Sequence, residues 1–248
     1  MRCWMPSNHS FLHCHRARHR IAAPALYLAG LLLALPGCHE RSVRPGVNDS
    51  YKGDIDVSKW VERFEGESRE IFTQRRRIVE AARITPGMTV ADIGAGTGLF
   101  VAPFAEAVGA RGRVFAVDIV PKFLAHIDQR AADYGLSNVE TVLCKEDSVE
   151  LPPGSVDLAF VCDTYHHFEY PGSTTASIHR ALRAGGELVV IDFERIPGVG
   201  RAWVIDHVRA GKGTVIGEIE SVGFELIDDG SSEDFLDENY MIRFRKID

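Results

Sequence analysis

Val90-Ala91-Asp92-Ile93-Gly94-Ala95-Gly96-Thr97-Gly98 is the stretch on which the reading of this chain turns. Thr89 to Ile93 is a short, largely apolar run of the kind that forms a buried strand. Three glycines at alternate positions follow it, and a helical pattern begins near Leu99. Strand, glycine turn and helix is how an open α/β sheet makes a nucleotide site, because ligands lie beyond the carboxyl ends of the strands. Glycine is required there where the turn demands a positive φ or where a Cβ would collide with the ligand. The spacing discriminates between ligands. A dinucleotide fingerprint reads G-x-G-x-x-G, whereas here the third glycine is Gly98 and Leu99 stands where that pattern wants glycine.

Beyond the loop, strands and helices alternate. Arg113 to Asp118 reads as a second strand, 121–134 as a helix closed by Gly135, and Asn138 to Cys144 as a third strand. Val156 to Cys162 is a fourth, followed by a helix over 172–183, an Ala184-Gly185-Gly186 turn and a fifth strand from Glu187 to Phe193. A helix over 214–222 and strands at 224–228 and 240–246 follow. Upstream, 56–66 and 68–84 carry helical periodicity, and Thr85-Pro86-Gly87 ends the second of these. Arg75-Arg76-Arg77 within it reads as a solvated face. Strands separated by helices imply a mainly parallel sheet with right-handed crossovers. The expected fold is α/β, Rossmann-like and doubly wound.

The apolar fraction of 45% suits one α/β domain with a sizeable core. A net charge of −7 carries no basic field toward nucleic acid, so no such partner is expected. The charge is uneven. Residues 1–37 hold Arg2, Arg16, Arg18 and Arg20 and no acid, leaving 24 Lys+Arg against 35 Asp+Glu from residue 38 onward. None of the five cysteines has a zinc-like spacing, and no metal is expected. Cys144 and Cys162 sit in strand patterns as small apolar residues.

Residues 90–98 resemble motif I of class I S-adenosylmethionine-dependent methyltransferases, an acidic residue, one apolar residue and then G-x-G-x-G. The resemblance extends over 56–248 through Asp118, the loop after the fourth strand and the Leu182-Arg183-Ala184-Gly185-Gly186 turn. It implies a seven-stranded sheet with an antiparallel strand toward its C-terminal end, S-adenosylmethionine as cofactor, and methyl transfer to a small-molecule or lipid-like acceptor. Gly94, Gly96 and Gly98 would form the cofactor loop, and Asp92 would orient the methionine amino group. Asp118, with Ile119 beside it, stands 20 residues beyond Gly98, where a carboxylate can accept from both ribose hydroxyls. Asp147-Ser148 after the third strand would meet the adenine. Asp163 opens the loop Asp163-Thr164-Tyr165-His166-His167-Phe168, which resembles the His-His-aromatic segment of ubiquinone/menaquinone-type enzymes. Tyr165, His166 and His167 are thus the candidate catalytic residues. Methyl transfer is a displacement that needs alignment and, for some acceptors, a base, and histidine suits that near neutral pH. The other reading of these histidines is that they hold the loop. Asp192-Phe193-Glu194-Arg195-Ile196-Pro197-Gly198 at the end of the fifth strand, with Trp203, His207, Arg209 and Lys212 beyond it, is either an acceptor-binding element for an anionic group or an amphipathic surface helix.

Residues 21–35 are almost wholly apolar and end in Leu35-Pro36-Gly37-Cys38, which resembles a bacterial lipobox with Pro36 as its departure. The resemblance makes 1–37 a signal peptide, 38–55 a tether and 56–248 the methyltransferase domain. It implies a cell-envelope protein, lipid-anchored through Cys38 on the periplasmic side, and His39 favours the outer membrane. An uncleaved signal acting as membrane anchor, or a start-site artefact leaving the protein cytoplasmic, are the alternatives. Two rival functions stand beside methyl transfer: an NAD-dependent oxidoreductase, and a membrane-tethered nucleoside-binding protein without turnover.

Overall fold

The seven strands expected from the alternation form one sheet. In the computed structural model, which describes residues 40–66, 69–198, 201–231 and 234–247, they are β1 (Thr89–Ile93), β2 (Arg113–Asp118), β3 (Val139–Leu143), β4 (Val156–Cys162), β5 (Leu182–Phe193), β6 (Phe224–Asp228) and β7 (Asn239–Lys246). Their order is β3-β2-β1-β4-β5-β7-β6, and only β7 runs antiparallel to its neighbours. β1 lies in register between β2 and β4, with Ala91 opposite both Phe115 and Ala159. A strand covered on both faces must be apolar on both, which is why β1, β2 and β4 read as continuous runs rather than alternations.

Two cores result. On one face Ile93, Val117, Val161, Val190 and Ile242 pack with Ile178 and Ile219 of the covering helices α6 (Pro171–Ala181) and α8 (Lys212–Glu220). On the other, Val90, Val114, Phe160 and Ile191 pack with Phe104 of α4 (Val101–Val108) and Ile78 of α3 (Arg75–Ala81). The remaining helices are α1 (Val57–Phe64), α2 (Glu70–Thr73), α5 (Pro121–Asp133) and α7 (Ala202–His207). The sheet reverses its winding between β1 and β4, so their carboxyl ends open a crevice in which a ligand can lie.

Three expectations are corrected in detail. The helix expected over 68–84 is two, α2 and α3, broken at Gln74 (φ −93°, ψ 3°), where Arg75 Nη1 donates to the Phe72 carbonyl at 2.7 Å. The Ala184-Gly185-Gly186 turn lies inside β5 as a bulge, since pairing with β4 jumps from Val156–Leu182 to Leu158–Glu187. The segment expected as a tether lies on the domain from residue 40. Glu40 accepts from the Gly172 and Ser173 amides at the start of α6 (2.9 and 2.6 Å), and Ser42 Oγ donates to Glu169 at 2.6 Å. Glu40 satisfies amides that the helix leaves orphaned. The signal-peptide and lipobox residues lie outside the described ones. Among the described residues no helix is long and apolar enough to cross a membrane.

Candidate active site

A cavity of about 550 Å³ opens at the carboxyl ends of β1, β2, β4 and β5. One side is built by the glycine loop. Gly94 takes φ 71°, and a Cβ there would stand 2.2 Å from Thr164 Cγ2, so the β4 loop can close against it only if the residue is glycine. Gly94 and Gly96 line the cavity, but Gly98 does not. A Cβ at Gly98 would meet Ile127 Cγ1 at 2.9 Å, so its role is the close approach of loop and α5.

Asp118 lies at the end of β2, buried, with Oδ2 accepting from the Gly96 amide and Oδ1 from the Val120 amide, both at 2.8 Å. It therefore holds the loop in shape as well as lining the cavity beside Ile119. Burial pushes its carboxyl up to about 6 against the pull of those amides. Asp92, at the end of β1, is pushed up to about 7 by burial and by the neighbouring Asp118. Its Oδ2 is buried and has no hydrogen-bond partner. An acceptor of that kind costs free energy until a donor reaches it, and Asp92 lines the cavity.

α1 covers this side. Tyr51, Phe64 and Phe123 line the cavity, and Tyr51 packs on Trp60 with ring centroids 4.8 Å apart. Glu65 accepts from Thr97 Oγ1 at 2.8 Å and from Arg130 at 2.7 Å, fastening the end of α1 to the glycine loop. Asp147 is exposed and neither it nor Ser148 is among the lining residues. The turn closed by the Lys145–Ser148 bridge carries both away, and Cys144, Lys145 and Glu146 line the wall where they were expected.

The opposite side is gathered from β4, β5 and α7. Asp163 lines it in a left-handed conformation (φ 49°), with Oδ1 accepting from Asn239 Nδ2 at 2.6 Å and Oδ2 paired to Arg69. Burial raises its carboxyl to about 6, opposed by Arg69. Both its oxygens thus have protein partners. Tyr165 does not reach the cavity. It is buried on the far side, its hydroxyl 3.1 Å from Glu218, which corrects its expected catalytic role. Arg209 likewise turns away, paired to Glu218 at 2.7 and 2.8 Å, and Lys212 is not among the lining residues.

His166 and His167 do line the cavity, and His207 and Trp203 join them from α7. Asp192, buried at the end of β5, receives the His166 amide on Oδ2 at 2.9 Å and faces His166 Nδ1 with Oδ1 at 2.7 Å. Burial and the neighbouring cationic groups lower His167 to about 2 and His207 to about 4. Asn48, with no motif around it, donates to the His167 carbonyl at 3.2 Å. Asp192 opens the stretch singled out in the sequence after the fifth strand, but only the structure shows that it faces His166.

Residues 91–190 match the family model described as a methyltransferase domain. This region, 100 of the 248 residues, is similar to a methyltransferase domain. That match spans the glycine loop, Asp118, the histidine loop and most of β5. Curated relatives include the ubiquinone/menaquinone biosynthesis C-methyltransferase of Hydrogenovibrio crunogenus, 29% identical over 152 residues, covering 61% of this chain and 58% of that one. The chain spans about half the length of the curated relatives it matches, 48% and 49% for two from Shewanella species. Among solved structures, an S-adenosylmethionine-dependent methyltransferase from Aquifex aeolicus superposes with a TM-score of 0.65 at 23% identity, covering 78% of this chain and all of that one. The [4+2]-cyclase SpnF superposes with a TM-score of 0.58 at 16% identity over 69% of this chain and 80% of its own. The fold alone therefore does not name the reaction. The family match favours a methyltransferase over the nicotinamide alternative.

Proposed function

We propose that this domain transfers a methyl group from S-adenosylmethionine to a small, largely apolar acceptor that enters beside the histidines. The observation that carries this reading is the orphaned Asp92 Oδ2 in the same cavity as the glycine loop and Asp118. It is a buried acceptor with no donor in the protein, where the cofactor's ammonium would supply one. S-adenosylmethionine brings a methyl group on a positively charged sulfur, an electrophile that needs no further activation. Asp118 would hold the ribose with the lone pairs its two amide contacts leave over. Gly94 and Gly96 leave room along the loop, and Tyr51 and Phe64 exclude water on the α1 side. On the acceptor side Phe168, Phe193 and Trp203 offer aromatic walls, and His166 offers a base whose orientation Asp192 fixes. The names of the curated relatives make a hydroxylated ring compound of quinone type the first acceptor class to try.

The envelope location is also our proposal. It is supported by the basic, then apolar leader ending in Leu35-Pro36-Gly37-Cys38. Mass spectrometry of the mature protein should find acylated Cys38 as its first residue, and an unmodified chain retaining 1–37 would refute it.

The test of the activity is calorimetric titration with S-adenosylhomocysteine and NAD, followed by transfer of labelled methyl to a panel of hydroxylated ring compounds. Saturating S-adenosylhomocysteine at about 100 times its Kd should stabilise the fold by about 2.7 kcal/mol. NAD should leave it unchanged. Binding without transfer to any acceptor of the panel would favour the binding-protein alternative.

A further inference from the structure

The three histidines of the acceptor side come from two separate segments. His166 and His167 sit in the 3-10 turn Tyr165–His167 after β4, and His207 is the last residue of α7. One ring nitrogen of each lies within 4.8 Å of those of the other two. The ring centroids are 4.4 Å apart for His166–His167, 5.0 Å for His166–His207 and 5.2 Å for His167–His207. We propose that His166, His167 and His207 form a binding site for a divalent transition-metal ion of the zinc type. This inference goes beyond the methyl-transfer reading and does not depend on it; with an ion bound, His166 Nε2 is a ligand, and the base for the acceptor would be an oxygen held by the ion rather than His166 itself.

Three observations support it besides proximity. Asp192 engages His166 Nδ1, leaving Nε2 as the free lone pair. A carboxylate on the far nitrogen is the arrangement that fixes the tautomer and orientation of a metal-ligating histidine. His167 Nδ1 is buried without a hydrogen-bond partner, although most buried polar atoms have one. Both histidine segments are also anchored through backbone carbonyls, that of His167 by Asn48 and that of His207 by Arg44. The backbone is thus fixed while the rings remain directed at one another.

The chemistry of the donor set suits the ion. Three imidazoles with a position left over is the ligand count of an open zinc site. A tetrahedral ion with Zn–N near 2.0–2.1 Å needs nitrogens about 3.3 Å apart, so the rings need draw together by at most about 1.5 Å. Charge around the cluster is mixed. Arg44 and Arg63 bring positive charge toward both His167 and His207, and Asp192 brings negative charge toward His207. A cation held there therefore needs an anionic oxygen or sulfur donor in its remaining position. Carboxylate ligands are absent from the triad, so magnesium and calcium are the wrong class of ion.

The experiment titrates Co²⁺ into the full chain, purified in detergent and stripped with chelator, and reads the visible d–d bands of the ion. Bound zinc is counted by elemental analysis after dialysis. We expect one ion per chain and competition of Zn²⁺ with Co²⁺. His207→Gln should weaken Co²⁺ at least 100-fold, and Asp192→Asn by about 10–100-fold through loss of the orienting carboxylate. S-adenosylhomocysteine binding, measured on the same samples, serves as the control for folding. Co²⁺ binding that His207→Gln leaves unchanged, or no Co²⁺ bands in protein that still binds S-adenosylhomocysteine, overturns the site. Metal binding by a protein that ignores S-adenosylhomocysteine upholds the site and overturns the methyl-transfer reading instead.

Discussion

The glycine-loop side of the cavity rests on two strand ends, Ile93 and Asp118, with a short loop between β1 and α4, and its internal polar contacts are largely backbone amides meeting one carboxylate. The histidine side takes residues 163, 166, 167, 192, 207 and 239 from the loop after β4, β5, α7 and β7, and its contacts are largely between side chains, with the His166 amide on Asp192 the exception among them. Backbone amides are supplied by any residue, so the first side depends on a few obligatory types, glycine at 94 and an acid at 118. Side chains can be exchanged one by one, so the second side is free to follow the acceptor. The same fold thus separates the part that must stay constant from the part that sets specificity.

The strongest way to break this contrast is Asp118→Ala. Two hydrogen bonds to a charged acceptor, each worth roughly 1.5–3 kcal/mol and partly replaced by water, give a loss of about 2–4 kcal/mol in S-adenosylhomocysteine binding. That is a factor of about 30–1000 in Kd by calorimetry. Because the same carboxylate receives the Gly96 and Val120 amides, the variant should also melt earlier. Asp118→Asn should keep part of both. Wild-type affinity in the alanine variant would mean that the loop does not carry the ribose.

Asp92→Asn should have an intermediate effect and of two signs. In the folded state Asp92 and Asp118 titrate near 7 and 6, above the ordinary 3.8. Their contribution to stability is complete below 3.8 and is lost as pH rises through 6 to 7. Without ligand, the wild-type protein should therefore lose stability across that window. Near pH 8 Asp92→Asn should be the more stable of the two by about 1–3 kcal/mol. Binding should move the other way. An ammonium favours the ionised Asp92, so S-adenosylhomocysteine should bind more weakly as pH falls below about 7, releasing a proton. Asp92→Asn should bind weakly at every pH. Melting curves and calorimetry from pH 5 to 8 check both signs, and a flat profile would detach Asp92 from the ammonium.

The smallest effect sharpens the contrast from the other side. Trp203 is half-exposed and packs edge-on against Phe193 at 5.0 Å. Trp203→Ala should change S-adenosylhomocysteine affinity by less than about 0.5 kcal/mol, the additivity limit for distant sites, while lowering kcat/KM for the acceptor. A large loss of cofactor affinity would show that the two sides are coupled.

The contrast also explains what could be read from the sequence. Strand, glycines and Asp118 are close together and periodic, so β1 to β5 and the loop were legible. Asp147 and Ser148 were placed one turn too close, because the three-residue turn after Cys144 cannot be seen in composition. Tyr165 and Arg209 look like site residues beside histidines, yet both serve Glu218 on the other face of the loop. Asn48 carries no local signal, and Asp192 stands in the singled-out stretch after the fifth strand without a role attached to it. Their roles follow from long-range contacts, which neither spacing nor periodicity encodes. The proposed histidine triad has no motif spacing, since His207 stands 40 residues beyond His167.

The position of β7 has a consequence for how the protein is made. β7 is synthesised after β6 but lies between β6 and β5. Until residues 239–246 emerge, β5 has an open edge and β6 has no partner. At ~5–20 residues per second, roughly 3–10 s of translation separate the end of β5 from the end of β7. During that interval the nascent chain holds an unfinished sheet. A translocase or a chaperone that engages an early segment has those seconds in which to act before the last strand locks the domain.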